Sequence, residues 1–474
     1  MGRGRTVIVA LLLAGGLGAS PCVAWPAPQD AAAIQAAVNQ GQALLDEGRP
    51  AEAEPLFRSA AEQALQLWGQ TSPDAGALTM KWGEAVDAQG RHREAEPILR
   101  RAQLLLTRSV EPGHPYLGVI ANHLSANLNA QGRYAEALAM ARAAEAAWRA
   151  SEGDDGDGVL IARNNQASAL RFLNRPAEAE AIHRAILSVR EASGTSEQLA
   201  LTLNNLGGLL MDQARYAEAE PLLRRAVALR ESGQGADDRL MAQSLSYLAT
   251  TTAALGRPEA ALAMQRRAVE MLARDEGPDL VSALMSETQL LLRLAMDTEA
   301  DASARRALAL QERLLGPDHP GLADALTNLA DATLLRGQSA EAERLLERAV
   351  ALIEADAGPD SPDLLRPLFL WAIAAGETGD RAGAVRRLER AEAVALHLPE
   401  GHLSRIGSQA NLGAALAADH RPAEALPRLR QAGAALALET GAGARDSEGR
   451  RDLDAYRHVY RLTVTAAWDA AAAG

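Results

Sequence analysis

One unit of about 42 residues recurs ten times along this 474-residue sequence, and that constrains its fold more than anything else in it. A chain built from one short unit cannot wrap a single central core; it stacks its units, and each buries its apolar face against the next. The unit is clearest at Gly48, where the turn reads Gly-Arg-Pro-Ala-Glu-Ala-Glu. The equivalent positions are Gly90, Gly132, Asn174, Ala214, Gly256, Ala295, Gly337, Gly379 and His420. Five residues after each of these anchors stands an alanine, from Ala53 to Ala425 without exception. Twelve after it alanine recurs in all but the fourth repeat, which has Ile186. Seven before it every repeat has a small residue, such as Gly41, Gly83, Ser125, Ala167 or Gly413, and the position just ahead is usually bulky and apolar.

This spacing predicts a helical hairpin in each repeat. Helix A runs up to the anchor, and its small residue admits helix B closely enough for the alanines of helix B to fit. Anchors of Gly and Asn suit the left-handed conformation that ends a helix. Pro50, Pro176, Pro258 and Pro422 stand where helix B begins and a missing N–H does no harm. A glutamate follows in eight of the ten repeats, at the positive end of that helix. Hydrophobic residues make up 48% of the chain but aromatics only 3%, so alanine and leucine supply most of the apolar content, which favours close-packed helices over sheets. A period near 42 instead of seven argues against a coiled coil.

These residues resemble the tetratricopeptide repeat in the 42-residue form found in kinesin light chains and in many bacterial arrays. The resemblance rests on Leu203-Asn204-Asn205-Leu206-Gly207 in helix A, on Tyr216-Ala217-Glu218-Ala219-Glu220-Pro221-Leu222-Leu223-Arg224-Arg225-Ala226 in helix B, and on Gly316-Pro317-Asp318-His319-Pro320 between repeats. It implies an all-α, right-handed α-solenoid of about ten hairpins over residues 25–440, followed by a linker and capping helix over 441–474. The seventh repeat departs most, with Glu287 in the bulky slot and a 39-residue interval before its anchor. The segment Leu453, Tyr456, Tyr460, Val464 and Trp468 has the apolar spacing of a helix that caps the last hairpin.

Residues 1–24 read as a signal peptide for export: Arg3 and Arg5, an apolar stretch from Val7 to Ala19, then small residues before Trp25. That stretch is shorter than the ~20 residues of a spanning helix. Cys22 invites a lipoprotein reading, but Pro21 disrupts the acylation motif. The expected product is periplasmic or secreted, with no membrane insertion after cleavage.

Catalytic motifs are missing. Lys81 is the only lysine, and no Gly-x-x-x-x-Gly-Lys phosphate loop surrounds it. Gly-x-Ser-x-Gly is absent, and no histidine pair has the spacing of a metalloprotease helix. Asp154-Asp155-Gly156-Asp157-Gly158 lacks the distal acid of a calcium loop. With 61 acidic and 48 basic residues the net charge of −13 argues against nucleic acid as a partner. No catalytic, cofactor or metal site is expected. Arrays of this type also precede caspase-like CHAT protease domains in bacterial proteins; Cys22 falls in the export segment, so that likeness implies at most a regulatory subunit of a separately encoded protease.

What remains is a binding face. In the family resembled, helix A lines the concave side and the residue nine before the anchor points into it. That series is Asn39, Lys81, His123, Asn165, Asn205, Tyr247, Ser286, Asn328, Leu370 and Asn411. The preceding position adds Asn122, Asn164 and Asn204. Asparagine costs up to ~0.7 kcal/mol against alanine inside a helix, so six polar residues in adjacent pairs require a reason. An amide offers a donor and an acceptor together, as an extended peptide backbone does. Val119, Ile161, Leu201, Ala126, Gly208 and Phe172 are expected beside them as apolar pockets. The candidate peptide-binding residues are therefore Asn122, His123, Asn164, Asn165, Asn204, Asn205 and Phe172, for a protein or extended peptide partner; bonds from one helix to the next are the alternative role for the asparagines. The cations of a carboxylate clamp are too scattered here, at Lys81, Arg171, Arg293 and Arg366, which favours an internal segment over a chain end.

Overall fold

The computed structural model describes residues 28–443 apart from 194–195, 234–237, 275 and 399–401; the export segment and the expected capping helix lie outside them. The chain divides into two compact units, one ending at Arg215 and one beginning at Tyr216. In the first, the helices are α1 (Pro28–Asp46), α2 (Pro50–Trp68), α3 (Pro73–Asp87), α4 (His92–Ser109), α5 (Pro115–Ala130), α6 (Tyr134–Glu152), α7 (Asp157–Phe172), α8 (Pro176–Ser193) and α9 (Ser196–Asp212). The second holds α10 (Tyr216–Ser232), α11 (Asp238–Ala254), α12 (Pro258–Leu272), α13 (Pro278–Arg293), α14 (Asp297–Leu315), α15 (Ala323–Leu335), α16 (Ser339–Ala357), α17 (Leu365–Thr378), α18 (Arg381–Ala395), α19 (Leu403–Ala418) and α20 (Pro422–Gly443). Odd numbers are the A helices, even numbers the B helices. Among the described residues there is no strand. The last helix runs to Gly443, past the boundary expected at 440.

All ten anchors have a positive φ, between 52° at Ala295 and 91° at Gly379. Asn174, Ala214, Ala295 and His420, the anchors that are not glycine, are the only non-glycine residues with positive φ among those described. The following N–H bonds back to a carbonyl five residues earlier, as Arg133 does to Leu128 at 2.9 Å and Arg421 to Leu416 at 2.9 Å. This is the Schellman arrangement, which satisfies the last carbonyls of helix A and reverses the chain. The seventh repeat keeps it, since Met296 N–H bonds to the Leu291 carbonyl at 3.0 Å. Its misplaced Glu287 accepts a hydrogen bond from Ser303 Oγ at 2.7 Å, so the acid is paired across the hairpin and the register survives.

The small residue of helix A has a specific opponent. A Cβ on Gly41 would lie 2.9 Å from the Phe57 ring, one on Gly83 2.6 Å from Leu99 Cδ2, and one on Gly413 2.7 Å from Leu429 Cγ. Each opponent is nine residues past the anchor, a position absent from the alanine pattern. The glycines at this position of helix A all have a large residue at that position of helix B, whereas Ser125 has Ala141, Ala167 has His183 and Ala330 has Leu346, so the two volumes do not follow one strict rule. The alanines at five and twelve are all buried, and most have no exposed surface.

Successive repeats are joined by ion pairs as well as by apolar contact. The arginine after the anchor pairs with a glutamate of helix B in the preceding repeat: Arg91 with Glu54 at 2.7 Å, Arg133 with Glu96 at 2.5 Å, Arg215 with Glu180 at 2.6 Å and, in the second unit, Arg257 with Glu220 at 2.7 Å. The junction of hairpins three and four breaks the pattern. Leu138 occupies the glutamate position, and Tyr134 and Phe172 stack across the junction with ring centroids 4.7 Å apart.

Candidate functional site

Helix geometry sets the site. Positions thirteen, nine, six and two before an anchor fall on one face of helix A. In hairpins three to five that face carries Val119, His123 and Ala126 on α5, then Ile161, Asn165, Ser168 and Phe172 on α7, then Leu201, Asn205, Gly208 and Asp212 on α9. Ile161 is 52% exposed, Leu201 40% and Phe172 54%, whereas Val119 is half-buried and Gly208 is buried. Three large apolar side chains exposed on one polar-lined face are not accounted for by the core.

The asparagines are joined in pairs. Asn165 Nδ2 on α7 donates to Asn122 Oδ1 on α5 at 3.2 Å, and Asn205 Nδ2 on α9 donates to Asn164 Oδ1 on α7 at 2.7 Å. Each rung thus links position nine of one repeat to position ten of the repeat before. All four residues are half-buried, so a bonded pair still reaches the surface. Asn204 is fully buried and does not lie on the exposed face. His123 is half-buried, and desolvation lowers its pKa, so its imidazole is neutral at pH 7. Phe172 lies at the rim, stacked on Tyr134, with the Arg171 guanidinium 5.5 Å from its ring centre. The six polar candidates and Phe172 are therefore in one unit, five of the polar ones on or beside the exposed face. The repeat spacing together with the family resemblance gave the positions; the rungs are tertiary contacts, because their two partners are about 42 residues apart in sequence.

The scattered cations are already engaged. Lys81 donates to Gln42 and to Glu84 at 3.0 and 2.8 Å, Arg171 to Asp212 at 2.7 Å, Arg293 to the Ala253 carbonyl at 3.2 Å, and Arg366 to Asn328 and Asp331 at 2.7 and 3.1 Å. The histidines outside the face do structural work. His114, His319 and His402 accept a backbone N–H at the start of an A helix, at 3.2, 3.0 and 3.2 Å. His183 is buried between hairpin helices, where desolvation and Arg171 bring its pKa down to about 4. Asp157, from the acidic loop, accepts from Arg190 at 2.6 Å. Among the described residues no group of three His, Cys, Asp or Glu is placed to hold a metal ion, and no helix is long and apolar enough to cross a membrane. In the second unit α17 and α19 flank a shallow cleft of about 280 Å³ lined by Phe369, Ile373, Gly376 and Asn411.

The sequence profile of the tetratricopeptide repeat matches residues 74–147, 116–192, 198–274 and 289–355, together more than half of the chain. The chain belongs to the tetratricopeptide repeat family. Among solved structures, the apo form of the quorum sensor NprR from B. thuringiensis is similar to it at 11% identity with a TM-score of 0.52, covering 76% of this chain and 98% of that one. The apo form of RapI matches at 12% identity and a TM-score of 0.51, covering 77% and 98%. A kinesin light chain-like repeat protein of Podosopora anserina is 27% identical over 43% of this chain and 96% of its own, with a TM-score of 0.38. No curated protein matches the sequence significantly. What is shared with NprR and RapI at these identities is the all-α solenoid fold.

Proposed function

We propose that this tetratricopeptide repeat protein is an exported, non-catalytic scaffold that holds a segment of another protein against the A-helix face of hairpins three to five. The observation that carries this reading is the pair of half-exposed asparagine rungs, Asn122 with Asn165 and Asn164 with Asn205, set beside the exposed side chains of Ile161 and Leu201. Amides fixed by one bond keep further donors and acceptors for a ligand backbone, and the aliphatic groups supply contact area and selectivity. Export rests on the leader-like residues 1–24, which predict a mature chain beginning at Trp25.

Partner capture from an envelope extract, with wild type beside an Ile161→Ser/Leu201→Ser variant, tests the scaffold. Proteins held through exposed segments and lost from the variant are expected, with the variant folded and at most modestly less stable because Ile161 and Leu201 are partly exposed. Retention of a single stoichiometric enzyme by both forms would replace the scaffold with a regulatory subunit that docks elsewhere. Amino-terminal sequencing of the processed protein checks export.

A further inference from the structure

Four amide atoms on the face have no hydrogen-bond partner among the described residues: Asn122 Nδ2, Asn165 Oδ1, Asn164 Nδ2 and Asn205 Oδ1. Each rung therefore ends in one donor and one acceptor, and the second rung repeats the first one repeat further on. Val119, Ile161 and Leu201 form an aliphatic row in the same register, one per A helix. Arg171 and Asp212 at the rim neutralise each other, so the stripe presents no net charge to a central segment.

Distance decides what kind of segment matches this register. Packed helices have axes ~8–10 Å apart, and α5 and α7 are in contact while α7 and α9 are joined by the Asn164–Asn205 rung. Two residues of β-strand advance only ~6.6–6.8 Å, too short for one helix step, and a three-residue step in a strand turns alternate anchors away from the surface. Polyproline II conformation returns to the same side every three residues and advances ~9.3 Å in doing so. It also forms no internal hydrogen bonds, so its N–H and C=O groups are free to meet the amide couples.

Resting on the groove reading above, we infer that the ligand is an uncharged segment in polyproline II conformation with an aliphatic residue at every third position, its three anchors lying against Val119, Ile161 and Leu201. Residues between the anchors include those whose backbone meets the rungs, so proline is tolerated only where its absent N–H is not required.

The test uses the full mature chain and three synthetic peptides of identical composition, with three leucines in a Ser/Ala/Pro background: at every third residue, at every second residue, or adjacent. The every-third peptide is expected to bind at least about tenfold more tightly than the other two, and to lose that preference in Ile161→Ser and Leu201→Ser. Equal or tighter binding of the every-second peptide overturns the polyproline II register and leaves the groove reading intact. Failure of all three to bind, while partner capture remains sensitive to Ile161→Ser/Leu201→Ser, overturns the short-segment ligand in favour of a folded surface. Failure of both measurements overturns the groove reading itself.

Discussion

Asn165 and Asn205 each donate to the neighbouring helix, and each leaves its Oδ1 for the ligand we propose. Asn165→Ala/Asn205→Ala is expected to lower stability by ~0.5–1.5 kcal/mol per rung and to weaken ligand binding as well. Chemical denaturation and peptide titration on the same samples check both; unchanged stability would show that the rungs do not hold the helices. A different residue-scale feature is Asp74, in the first turn of α3, whose carboxyl is raised to about 6 by burial. The protonated form is favoured in the folded chain, so stability associated with it is present below the unfolded value near 4 and lost as pH rises through about 6. Asp74→Asn should therefore match wild type at pH 3.5 and exceed it above pH 7, by ~1 kcal/mol once partial exposure and the helix dipole are allowed for. Unfolding midpoints measured across that range give the sign directly.

In the hairpins that carry glycine on helix A, the glycine and a large residue of helix B form a pair. Because a Cβ on Gly83 would lie 2.6 Å from Leu99 Cδ2, Gly83→Ala is expected to destabilise by ~1–3 kcal/mol through overpacking. Adding Leu99→Ala should give a double variant more stable than the sum of the two single losses predicts, and additive losses in a double-mutant cycle would disprove the pairing. The turn offers the opposite kind of change. Ala214 has φ 56°, a conformation that strains any residue with a Cβ. Ala214→Gly should stabilise by ~0.5–1 kcal/mol, after the greater freedom of glycine in the unfolded chain is subtracted, as the unfolding midpoint will show.

Across the whole molecule, stability belongs to interfaces between neighbours rather than to one core. Hydrogen exchange on Gly83→Ala is expected to loosen α3 and α4 first, then α2 and α5, with α15 to α18 protected as in wild type. Uniform loosening from end to end would contradict nearest-neighbour coupling. The junction of hairpins three and four stands apart in this picture, because an aromatic stack replaces the arginine–glutamate lock found at the junctions on either side. That junction lies beneath the proposed binding face, and Phe172 belongs to both.

The sequence alone determined the repeat and the turn, and its resemblance to a known family implied the face. Ten anchors were legible because reversing a helix demands a left-handed residue at a fixed place, and even Ala214, Ala295 and His420 obey once the neighbouring alanines set the register. Helical periodicity put Asn165 on one face with its neighbours, and the family resemblance implied that this face is the exposed one. Tertiary structure decided which side chains meet: that Leu99 fills the space above Gly83, that Arg91 reaches Glu54, and that Asn165 bonds Asn122. Periodicity fixes a direction within one helix, whereas a contact depends on how two helices some 42 residues apart are placed. Only packing sets that distance.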